Sequence, residues 1–223
     1  MTSVPSVWVM TTSDQARLLR VRAADNGAVL CFTVEYVGDE GPAHEELCVF
    51  SARLDRVPAV GAIDAPVLEL LLREDGMYRA MRAGMQSLSL TDSSARRLVY
   101  KLFTKGFARE LAEQAVQELA RAGYLDERRA ALREAERGIA KLWGDRRILG
   151  DLRAKGYGAE AIAAVSFYLA GEDVEGRCRR LVKKRRITLP EDRYGREKVI
   201  AALLRYGYTP NTVRAVLCVD VEE

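Results

Sequence analysis

A lysine-glycine-aromatic string recurs along this chain, and its spacing narrows the folds available to it. Lys105-Gly106-Phe107, Lys155-Gly156-Tyr157 and Tyr206-Gly207-Tyr208 set their glycines 50 and then 51 residues apart. The flanks repeat as well. Leu102 and Leu98, Leu152 and Ile148, and Leu203 and Val199 lie four and eight residues ahead of the glycine. Ala112 and Ala115, Ile162 and Val165, and Val213 and Val216 lie six and nine residues beyond it. Self-similarity at a period of several tens of residues marks a tandem array of one supersecondary unit.

Residue chemistry identifies the unit. Apolar residues four apart before the glycine share one face of a helix, and the pair after it shares one face of another. Glycine between them can take the left-handed conformation that ends a helix, and the aromatic beyond can pack back against it. A third helix fits each interval, from Asp126 to about Trp143 and from Glu172 to about Arg185. The corner residues are therefore Gly106 and Phe107, Gly156 and Tyr157, and Gly207 and Tyr208, with Gly123 and Tyr124 closing the helix Arg109–Ala122. Their aromatics read as packing residues, because they recur at one position of each unit.

The first sixty residues have a different texture. Ala16–Ala24 and Ala28–Val37 are rich in aliphatic and β-branched residues and are joined by Asp25-Asn26-Gly27. Asn-Gly between two such runs favours a tight hairpin. Glu45–Phe50 supplies a third strand after a loop at Gly38–His44. Asp64 then caps a helix with Pro66 in its first turn, reaching about Ser89 with a break near Gly76. Thr91 caps the next helix, and Asp126, Asp145, Glu172 and Pro210 mark later starts. The expected fold is mainly α: three tandem three-helix repeats, elongated, preceded by a small antiparallel β segment. Its divisions are the strand-rich segment 1–63, a linking helix with repeat 1 at 64–123, repeat 2 at 124–170 and repeat 3 at 171–223.

Composition excludes several functions. A single histidine, His44, lies in a Gly/Pro/acid loop, so neither a Ser-His-Asp nor a Cys-His arrangement can be built. No glycine-rich phosphate cradle follows a strand. An enzyme, a metal site and a cofactor are not expected. No apolar run approaches the about 20 residues of a membrane span. Cys31, Cys48, Cys178 and Cys218 form no C-x-x-C pair, and the helical positions of Cys178 and Cys218 suit buried free thiols in a reducing cytoplasm.

Charge is uneven. Residues 1–90 carry 8 basic and 12 acidic side chains, and residues 91–223 carry 27 and 20, so the repeats form the basic half. Arg177-Cys178-Arg179-Arg180-Leu181-Val182-Lys183-Lys184-Arg185-Arg186 holds seven cations and no acid. Val174, Cys178, Leu181 and Val182 make a core stripe, and the cations fan over the remaining surface. Their mutual repulsion calls for an acidic partner, phosphate or protein. Arg146, Arg147, Arg153 and Lys155 form a weaker second patch, partly compensated by Asp145 and Asp151.

In this order and spacing the chain resembles the RecX family of bacterial recombination regulators. The matching strings are Leu102-Phe103-Thr104-Lys105-Gly106-Phe107, Gly123-Tyr124-Leu125-Asp126-Glu127-Arg128-Arg129, the stretch from Gly144 to Gly156, and the arginine-rich helix before the third corner. The chain departs from the family pattern at Ala130, where an aromatic is usual, and at Tyr206, where lysine is commoner. The resemblance implies a protein that binds RecA, lies in the groove of its filament on single-stranded DNA and limits recombinase activity. The partners it implies are the RecA filament and single- or double-stranded DNA through phosphates, engaged by a monomer away from membranes. A second reading takes each unit as a helix-turn-helix DNA reader acting in transcription. It is weakened by Ala159–Ala170, a third helix with no cation to place on base edges.

Overall fold

A computed structural model describes residues 16–38 and 41–217. Cys218 lies outside them. Two compact units are present, one reaching to Thr91 and including Leu98–Tyr124, the other comprising Asp92–Arg97 and the residues from Leu125 on.

The first unit opens with a sheet of strand order β3-β2-β1-β4, all neighbours antiparallel: β1 (Ala16–Ala24), β2 (Val29–Gly38), β3 (Gly41–Phe50) and β4 (Gly61–Ile63). The hairpin turn stands at Asp25-Asn26-Gly27, with φ of 48°, 55° and 87°, a backbone that Asp, Asn and Gly tolerate best. Phe32 and Val34 on β2 and Leu47 and Val49 on β3 alternate onto one face. That face packs with Leu18 against Leu68 and Leu71 of the first helix. The loop expected at Gly38–His44 is instead ladder, paired as far as Gly38 with Gly41. The three-residue β4 was not anticipated, being too short for any periodicity to show.

The first helix, α1 (Ala65–Leu90), is capped by Asp64, which accepts from the Val67 N–H at 3.1 Å. It runs through Gly76 without the expected break, since glycine inside a helix costs stability but does not by itself interrupt the hydrogen-bond ladder. Its Asp75 carboxylate accepts from the Cys48 N–H at 2.9 Å. Cys48 stands on the edge strand, so this bond occupies an outward donor of the sheet. Beside it Cys31 and Cys48 form a disulfide across β2 and β3, their Cα atoms 4.2 Å apart. That separation is typical of directly opposed residues in an antiparallel pair lacking mutual hydrogen bonds.

The helical repeats follow: α2 (Ala95–Thr104), α3 (Arg109–Arg121), α4 (Glu127–Ala140), α5 (Asp145–Ala154), α6 (Ala159–Ala170), α7 (Val174–Arg185), α8 (Arg193–Arg205) and α9 (Pro210–Leu217). Ser94, not Thr91, caps α2: its hydroxyl accepts from the Arg97 N–H at 3.2 Å, while Thr91 ends α1. The corners form as expected. Gly106, Gly123, Gly156 and Gly207 have φ of 96°, 78°, 77° and 93°. In each, the next residue donates its N–H to a carbonyl five residues back: Phe107 to Leu102, Tyr124 to Leu119, Tyr157 to Leu152 and Tyr208 to Leu203. This is the bond of a Schellman helix end. Tyr157 and Tyr208 are buried and Phe107 is partly so. Tyr124 is 57% exposed, and Leu125 takes its place in the core; the packing role expected for Tyr124 does not hold.

Among its described residues the second unit has a hydrophobic cluster centred on Ala131, Ile148, Leu152, Tyr157 and Val165 and another on Cys178, Leu181, Leu203, Tyr208 and Val213. Within it a corner of one repeat docks on the start of a middle helix of the repeat before. Ser94, at the start of α2, donates its hydroxyl to the Lys155 carbonyl at 2.6 Å. Fifty residues on, Gly144 donates its N–H to the Tyr206 carbonyl at 2.8 Å and Arg146 to the Gly207 carbonyl at 3.2 Å. The Tyr206 and Gly207 carbonyls satisfy N–H groups that a helix start leaves without intrahelical partners, whereas the Lys155 carbonyl holds the capping hydroxyl of Ser94.

Candidate functional site

Helix α7 owes its place to Asp173, whose carboxylate accepts from the Gly176 N–H at 2.7 Å, and to the core stripe beneath it. Cys178 and Leu181 are fully buried, with Val174 and Val182 packed alongside. Burial pushes the Cys178 thiol up to about 11. Arg177 departs from the sequence reading. It is 0% exposed, donates to the Trp143 carbonyl at 3.0 Å and pairs with Asp145 at 3.2 Å. Arg177 stands three residues after Val174 and four before Leu181, so helical spacing already places it on the core stripe. It is a core cation and does not belong to the surface face.

The remaining cations of the run do lie outside. Arg179 pairs with Glu175 on the next turn at 2.9 Å. Arg180, Lys183, Lys184, Arg185 and Arg186 are exposed and form no ion pair among the described residues. Arg186 ends the helix at φ 50°, with its N–H on the Lys183 and Val182 carbonyls. At that end the cations also face the negative pole of the helix, which offsets part of their repulsion.

The second patch divides. Lys155 is half-buried between Glu134 and Asp151, at 2.5 and 2.8 Å, and is neutralised there. Burial acts to lower its pKa, but hydrogen bonds and charge from both acids outweigh that and raise it. Asp145 compensates Arg177 and not its neighbours; burial raises its pKa and Arg177 draws it back. Arg146, Arg147 and Arg153 remain exposed without an acidic partner among the described residues. Arg147 lies over the Trp143 ring at 4.3 Å and the Tyr206 ring at 5.6 Å, and Arg185 of α7 lies over the same Tyr206 ring at 6.0 Å. The two patches therefore meet. Lys141, over Trp143 at 5.0 Å, joins them. Lys141, Trp143 and Tyr206 escaped the sequence reading as site residues; only Tyr206 gave a signal, an aromatic where the other two corners carry lysine.

Among the described residues no group of three His, Cys, Asp or Glu side chains could hold a metal ion, and no helix is long and apolar enough to cross a membrane. No family model matches the chain. It is 29% identical over 147 residues to Regulatory protein RecX of Treponema pallidum, in the Nichols strain and in a strain of subspecies pallidum alike, covering 65% of this chain and 87% of the relative. A crystal structure of regulatory protein RecX superposes with a TM-score of 0.71 at 20% identity, over 92% of this chain and all of that one. In sequence and in fold the chain is similar to RecX regulatory proteins. RecX from Lactobacillus salivarius shares the fold more loosely, with a TM-score of 0.57 at 14% identity over 64% of this chain and 95% of that one. The RecX relatives in sequence are regulatory proteins by name, and the helical repeats resemble those of solved RecX structures.

Proposed function

We propose that this chain binds the filament that RecA recombinase forms on DNA and restrains its activity in recombination and DNA repair. The observation that carries this reading is the outer face of α7, where Arg180, Lys183, Lys184, Arg185 and Arg186 stand exposed without an acid among the described residues to neutralise them. Like charges held this close destabilise the free protein, and a polyanionic partner relieves the repulsion. Similarity to RecX regulatory proteins directs the choice of partner to RecA on DNA. A base-reading role has no comparable support, since α6, the helix that would enter the groove, carries no cation.

The test is RecA's DNA-dependent ATP hydrolysis and strand exchange. Substoichiometric protein slows both, and the Arg179→Ala/Arg180→Ala/Lys183→Ala/Lys184→Ala variant, folded as judged by its melting curve, loses most of the effect. RecA turnover unchanged by an excess of the wild-type chain overturns the proposal.

A further inference from the structure

We infer that Lys141, Arg146, Arg147 and Arg185, gathered around Trp143 and Tyr206 where the second and third repeats join, form a binding site for the phosphodiester backbone of DNA. The inference deepens the function proposed above, by assigning this cluster to the nucleic acid of the filament and not to its protein.

Three observations carry it. The four cations are exposed, come from three separate segments of chain, and have no acidic partner among the described residues. Three of them are held by rings: Lys141 and Arg147 over Trp143, and Arg147 with Arg185 over Tyr206. A guanidinium lying on a ring keeps its charge and its edge N–H groups while losing rotational freedom. That is the preorganisation a phosphate ligand needs. The backbone beneath is fixed too, since the Gly144 and Arg146 N–H groups are bonded to the Tyr206 and Gly207 carbonyls.

The internal repeat supplies a comparison. Lys155 occupies the matching corner position of repeat 2 and is neutralised by Glu134 and Asp151. At the third corner Tyr206 replaces that lysine, and over it lie two arginines with no acidic partner among the described residues. The cations occupy the rings, so phosphate contact and not base stacking is what this site offers. It therefore takes DNA without regard to sequence.

The experiment uses the full chain without RecA. Anisotropy of a labelled 30-nucleotide oligothymidylate is titrated at several salt concentrations, with a 30-base-pair duplex as a second arm. The Arg147→Gln/Arg185→Gln variant is expected to bind at least ~10-fold more weakly at about 0.15 M salt, with its salt slope lowered by about 1.4, for two lost phosphates. Arg82→Gln/Arg128→Gln removes equal charge from exposed sites elsewhere and leaves affinity within about twofold. Tyr206→Leu, which keeps every cation but removes a ring, weakens binding, and Tyr206→Phe restores it. In a Trp8→Phe background Trp143 is the sole tryptophan, and its emission shifts when the oligonucleotide is added.

The inference is overturned if neither DNA binds, or if the two double variants lose affinity equally. If RecA is still restrained in either case, the proposed function stands and the cluster is not a DNA site. Melting temperatures near wild type separate loss of binding from loss of fold, and Arg147→Lys/Arg185→Lys, with charge retained, recovers most of the affinity.

Discussion

Gly144 and Gly207 meet backbone to backbone: a Cβ on Gly144 would overlap the Gly207 carbonyl. Gly144 has φ −75°, open to any residue, so what it supplies is proximity and not conformational freedom. Gly144→Ala is expected to cost about 1–3 kcal/mol by forcing the two repeats apart. Gly150→Ala, on the same helix with open space around its Cβ position, is expected to stabilise by about 0.5–1 kcal/mol. Urea denaturation of the two variants gives opposite shifts if the contact is as described, and equal shifts if it is not.

The corner glycines sort by surroundings. Gly106 at φ 96° has nothing within 4 Å of a Cβ, so Gly106→Ala carries only the left-handed penalty, about 1–2 kcal/mol. Gly207 at φ 93° adds a clash with the Arg147 backbone, which cannot swing aside. Gly207→Ala should therefore lower the melting temperature clearly more than Gly106→Ala. Equal melting temperatures would mean that the third corner can shift.

Arg177 is buried with one carboxylate for a partner. Asp145→Ala leaves that guanidinium without a counter-charge and should destabilise by about 3–5 kcal/mol. Arg177→Met, which removes the charge but keeps the volume, should cost much less despite being the change at the buried residue. A chemical-denaturation ranking with the arginine variant as the worse of the two refutes this account.

Cys178 gives a pH dependence whose sign follows from burial. The thiol rises from 9.0 to about 11, so the folded state holds its proton where the unfolded chain releases it. Its contribution to stability is complete below about pH 9 and is lost as pH climbs through about 11. In a Cys218→Ser background, Cys178→Ala should show a shallower alkaline loss of stability than its parent. Cys178 should also resist an aromatic disulfide reagent at pH 8 until denaturant is added.

What could be read from the sequence followed from constraints local to a few residues. A left-handed corner demands glycine, so four corners announced themselves, and Asp126 capped its helix because a carboxylate three residues ahead of an N–H reaches it. Helical spacing put Cys178 and Leu181 in the core. The same arithmetic placed Arg177 there, but residue type outweighed position. Features set by register or by distant chain were not legible. Cys31 meets Cys48 only because one pairing of β2 and β3 is adopted among several. Tyr206 meets Arg147 only through the docking of the third corner on α5. Ser94 displaced Thr91 as a cap because both residue types suit the role, and the helix start chose between them.

The junctions also give the array a direction. Helix α5 has no side-chain cap and leans on carbonyls delivered by the following repeat. Helix α2, in contrast, is capped by its own Ser94, whose hydroxyl also reaches the Lys155 carbonyl, and α8 by Asp192 accepting from the Gly195 N–H at 2.7 Å. A middle helix thus brings its own cap, as α2 and α8 do, or borrows it from the following repeat, as α5 does.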